Sequence, residues 1–153
     1  MKNYQITMKA FIVCAFACMV SINTWAQSKS TMDLLMLDGK MKWDVQFPSP
    51  QSYTCTISFT KTDIISTVEY NGESGAINTI YYLSAEIPAK FDSTKMGKVE
   101  HGKYIVEEAM VKSPEGGKYK ETTVFEIIYL SSDSLRLKNL TNSSYIDYKA
   151  RKF

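Results

Sequence analysis

From Tyr53 to Ala150, apolar and polar residues repeatedly exchange places at every second position, and this period limits the fold more than anything else in the chain. Tyr53, Cys55, Ile57 and Phe59 alternate with Thr54, Thr56, Ser58 and Thr60. In an extended chain such a pattern turns one set of side chains toward a core and the other toward water. Ile64, Ser66, Val68 and Tyr70 continue the period up to Asn71-Gly72, a dipeptide suited to a tight hairpin turn. Further extended runs are Ile77 to Leu83, Lys103 to Val111, Tyr119 to Leu130, Leu135 to Lys138 and Tyr145 to Ala150. Gly116-Gly117 and Ser131-Ser132-Asp133-Ser134 supply turns between them. With Met41 to Phe47 at the start, the pattern predicts eight strands.

Helical periodicity is confined to Lys29 to Asp38, where Met32, Leu35 and Met36 share a face before Gly39 ends the run. The longest gap between strands is Glu86 to Gly97, and Pro88 argues against an inner strand there. No repeat or linker divides the chain. Eight short antiparallel strands can close as an up-and-down barrel or as a two-sheet sandwich. The meander-like order of hairpins favours the barrel. Its interior can be filled by side chains or can hold one small ligand.

The first 26 residues read as a cleavable export signal. Lys2 and Lys9 precede an apolar run from Ala10 to Val20, and Thr24-Trp25-Ala26 offers small residues for cleavage before Gln27. That run is too short for a membrane-spanning helix. Lipid attachment at Cys18 competes with simple cleavage, although Ala15 stands where a lipobox favours Leu and apolar residues follow the Cys. The expected division is a signal peptide at 1–26, an N-terminal extension at 27–39 and a barrel domain at 40–153, in a periplasmic or secreted protein.

Removing the leader decides several questions of function. It carries two of the 18 basic residues and none of the 16 acidic ones, so the remainder has no formal net charge. Nucleic acid binding, which relies on clustered cations, is not expected. Cys55 is the only cysteine left, so no intrachain disulfide can form, and its strand parity predicts a buried thiol. His101 is the only histidine and lies in a turn, without a Gly-x-Ser-x-Gly elbow elsewhere. One His and one Cys do not supply a zinc site, Asp133 stands alone among serines, and Gly116-Gly117 precedes a strand where a phosphate loop needs a helix. No catalysis, metal or cofactor is expected.

The stretch from Tyr81-Tyr82-Leu83-Ser84-Ala85-Glu86-Ile87-Pro88 through Phe91-Asp92 and Met96-Gly97-Lys98 resembles the lipocalin-like domain proteins exported by Gram-negative bacteria of the Bacteroides type. Gly102-Lys103-Tyr104-Ile105-Val106 and Tyr129-Leu130-Ser131-Ser132-Asp133-Ser134-Leu135-Arg136-Leu137 carry the same resemblance. It covers the chain from about Met41 onward and implies an antiparallel barrel with a Trp on the first strand, matched by Trp43. Gly39 precedes that Trp by four positions, where lipocalins usually place the Gly two before it. The resemblance also implies an Arg near the last strand packed over the Trp ring, matched by Arg151, as a device that closes the barrel.

Three residues are candidates for ligand contact. Glu126 lies on a strand whose two faces, Val124 and Ile128 against Phe125, Ile127 and Tyr129, are both apolar, so a carboxylate inside the barrel is conceivable if it finds a partner. Tyr82 and Tyr129 offer apolar rings with polar tips. The leading expectation is non-catalytic binding of a small apolar ligand in a cavity of several hundred Å³, roughly the usual pocket range. The alternative is a protein-interaction or structural module with a side-chain-filled barrel.

Overall fold

The computed structural model describes residues 29–36 and 41–152. The expected export signal with Cys14 and Cys18, the expected cleavage point after Ala26, and Gly39 lie outside the described residues. Helix α1 (Thr31–Met36) precedes strands β1 (Met41–Gln46), β2 (Tyr53–Phe59), β3 (Asp63–Tyr70), β4 (Glu73–Ser84), β5 (Tyr104–Lys112), β6 (Lys118–Leu130), β7 (Ser134–Asn139) and β8 (Tyr145–Lys152). Each strand pairs antiparallel with the next, and β8 returns to β1, giving a closed up-and-down barrel. The eight strands and the meander expected from the alternation are both present.

Register assigns the faces. Trp43 pairs with Ile57 and Ala150, Ile57 with Ser66, and Ser66 with Ile77. Tyr81 pairs with Glu107, Glu107 with Thr123, and Ile105 with Phe125. All of these belong to the inner face, together with Leu137 and Tyr148. The core gathers Met32, Leu35, Trp43, Ile57, Phe59, Ile64, Tyr81, Leu83, Ile105, Leu135, Leu137 and Tyr148.

The two barrel ends differ, and the difference comes from α1. Ser30 caps this helix: its hydroxyl accepts from the Asp33 backbone N–H at 3.0 Å, and the Asp33 carboxylate accepts from the Ser30 N–H at 3.3 Å. Met32 and Leu35 thereby enter the barrel end, where the Trp43 indole N–H donates to the Leu35 carbonyl at 2.8 Å. The Tyr81 hydroxyl donates to the Thr60 carbonyl at 2.6 Å and lies against the Met32 sulfur. The residues expected to form a separate extension therefore supply the barrel's plug. At the opposite end the inner-face residues Tyr53, Val68, Tyr70, Ile77 and Tyr119 are exposed. One end is packed shut and the other is a mouth.

Candidate functional site

Between plug and mouth lies a cavity of about 170 Å³, lined by Ile57, Phe59, Ile64, Ser66, Ile105, Glu107, Phe125, Leu137 and Tyr148. It is smaller than the several hundred Å³ expected, because Phe59 and Phe125 fill much of the lower barrel. Its size still matches that of apolar cavities that admit a benzene-sized molecule.

Most of the lining is aliphatic or aromatic, and the polar groups within it are few. Glu107 projects inward from β5, opposite Tyr81 on β4 and Thr123 on β6. Burial pushes its carboxyl above the ordinary Glu range, an effect the Thr79 hydroxyl partly offsets by hydrogen bonding to the carboxylate. Tyr148 reaches in from β8 and is 7% exposed. Burial raises its phenol, and the nearby Cys55 and Glu107 add to the shift. Cys55 faces the same interior, as its parity predicts, but is half-buried where a buried thiol was expected, and burial raises its thiol.

The candidates chosen from sequence stand elsewhere. Glu126 pairs with Tyr104 and Lys138 on the outer face, and its carboxylate meets the Lys103 ammonium at 2.8 Å. The interior carboxyl is Glu107. Tyr82 is fully buried, but on the outside of the wall, beneath the connection from β4 to β5, with the Phe91 ring 5.2 Å away. Tyr129 is exposed. The register shift between Ile127 and Tyr129 moves it out of the inward parity of Phe125 and Ile127, and Leu130 takes the inward position opposite Leu135. Trp43 and Arg151 do not stack. Lys42 is opposite Arg151 and Trp43 opposite Ala150, which puts the indole inside and the guanidinium outside. Arg151 instead grips the Asp44 carboxylate with Nε–Oδ1 at 2.8 Å and Nη2–Oδ1 at 2.6 Å. That pair spans the β1–β8 seam, so both residues lie where the barrel closes.

Parity could have found Glu107, since it shares the inward set with Ile105 and Ala109. Among the described residues no three His, Cys, Asp or Glu side chains converge as metal ligands.

These features define a class: a closed eight-stranded antiparallel barrel with one end plugged by a short helix and the other open. Comparison with protein-family models, curated proteins and solved structures found no match.

Proposed function

We propose that this chain is an exported, lipocalin-like carrier that binds a small, largely apolar molecule inside its barrel without chemical change. The observation that carries the reading is the cavity below an open mouth, with Glu107 and Tyr148 among its lining residues. Small-ligand sites characteristically combine apolar walls with a few convergent polar groups. The exposed rings of Tyr53, Tyr70 and Tyr119 on the inner face extend the apolar lining upward from the cavity. A side-chain-filled barrel serving only as a structural module would leave no reason for a cavity at this position.

Native mass spectrometry of the protein purified from its own source tests this directly. A co-purifying molecule of a few hundred daltons, released on unfolding, is the expected result. An apo mass together with no thermal shift against a panel of small apolar compounds would contradict it. The same spectrum reads the proposed export, since cleavage after Ala26 predicts a chain beginning at Gln27.

A further inference from the structure

The charges on the inner face point to the chemistry of the ligand's polar end. Reading the register from Trp43 to the mouth, the inward positions carry Glu107, Glu121 and Glu73, and no Lys or Arg. The strand cations Lys42, Lys112, Lys118, Lys120, Arg136, Lys138, Lys149 and Arg151 have the outward parity, and Lys152, opposite Met41 at the plugged end beyond Trp43, is the one strand cation at an inward register position. Such one-sided partition is not a property of the composition, which is electrically balanced outside the leader.

We infer that the ligand is a small apolar molecule bearing a protonated amine, whose ammonium is received by the Glu107 carboxylate and the Tyr148 hydroxyl. This inference rests on the binding function proposed above and specifies its ligand class. An ammonium offers three donors. Glu107 and Tyr148 both line the cavity and both can accept; Ser66, also on the lining, provides a third oxygen. The half-buried Glu107 carboxyl belongs to none of the described ion pairs, and an ammonium would supply the partner that a charge drawn out of water requires. A carboxylate ligand such as a fatty acid would meet like charge on the way in and no Lys or Arg on the cavity lining. A hydroxyl ligand could hydrogen-bond there but would gain nothing from charge.

Isothermal titration of the intact mature protein with octylamine, octanol and octanoate at neutral pH separates these cases. The inference predicts octylamine binding at least tenfold tighter than octanol, about 1.4 kcal/mol, with octanoate weakest. Glu107→Gln should bring octylamine down to the octanol level while leaving octanol unchanged. Tyr148→Phe, which removes only the hydroxyl, should weaken octylamine and serves should the Gln variant fold poorly. Octanol or octanoate binding as tightly as octylamine would overturn the amine assignment while leaving the carrier function standing. Binding of none of the three would overturn both.

Discussion

Trp43→Phe removes the bond that fastens the plug to the barrel, and its cost can be worked from the geometry. The indole N–H donates at 2.8 Å to the Leu35 carbonyl, and both residues are buried. Phe has no donor, so the carbonyl is left unsatisfied inside the protein at a cost of about 1–3 kcal/mol. The smaller ring also leaves a void worth roughly 1 kcal/mol, at about 24 cal/mol per Å³ of residual cavity. The total is about 2–4 kcal/mol. For a domain of this size that corresponds to a fall in Tm of about 8–15 °C. Urea titration followed by far-UV circular dichroism gives the free energy, and a thermal scan gives the Tm. Leu35→Ala should cost about 2–5 kcal/mol, and the double variant should cost less than the sum, since either change loosens the same plug. A Trp43→Phe loss below about 0.5 kcal/mol would refute the helix as a structural part of the barrel.

Gly102→Ala should destabilise by roughly 2 kcal/mol or more, as overpacking does: its Cβ would stand 2.8 Å from the Ser84 backbone nitrogen and 2.9 Å from the Leu83 Cβ. Chemical denaturation measures this, and a neutral outcome would mean that the β4 end is not held there. Arg151→Ala should cost under about 1 kcal/mol and less still at high salt, because its pair with Asp44 is largely solvent-exposed; a loss of several kcal/mol would contradict that. Glu107→Gln should show a pH-dependent gain in stability. The folded-state carboxyl is raised above its unfolded value, so nothing is lost while it is protonated in both states, and ionising it costs the fold as pH rises. The variant's advantage should therefore be absent below about pH 4 and widen toward neutrality. The inner-face neighbours Cys55, Tyr81 and Tyr148 are all raised by burial and remain uncharged over that window. A gap constant with pH in urea titrations would rule out a strained interior carboxyl.

Strand identity was legible because most strand segments keep one face toward water, and parity then follows from the alternation. The faces were harder to assign where both sides are covered. Tyr81 and Tyr82 are adjacent and equally buried, one in the core and one under the β4–β5 connection, and nothing in two identical side chains distinguishes inside from outside. Along β6, Phe125 and Ile127 follow the inward parity, but the bulge before Tyr129 reverses it, and a bulge leaves no clear mark in composition. The Trp–Arg stack implied by the resemblance fails for a geometric reason: the two side chains sit at register positions of opposite face. The plugging role of α1 depends on contacts across dozens of residues, such as Met32 N–H to the Glu100 carbonyl at 3.0 Å, which no local pattern announces.

The central claim is that the space beside Glu107 receives a ligand. Isothermal titration with the small neutral probe indole tests it most directly, comparing the native chain with Ser66→Phe, whose ring would occupy the cavity that Ser66 lines. The account predicts saturable one-to-one binding to the native barrel and its loss in a Ser66→Phe variant that remains folded. Absence of binding, or equal binding by both proteins, would contradict it.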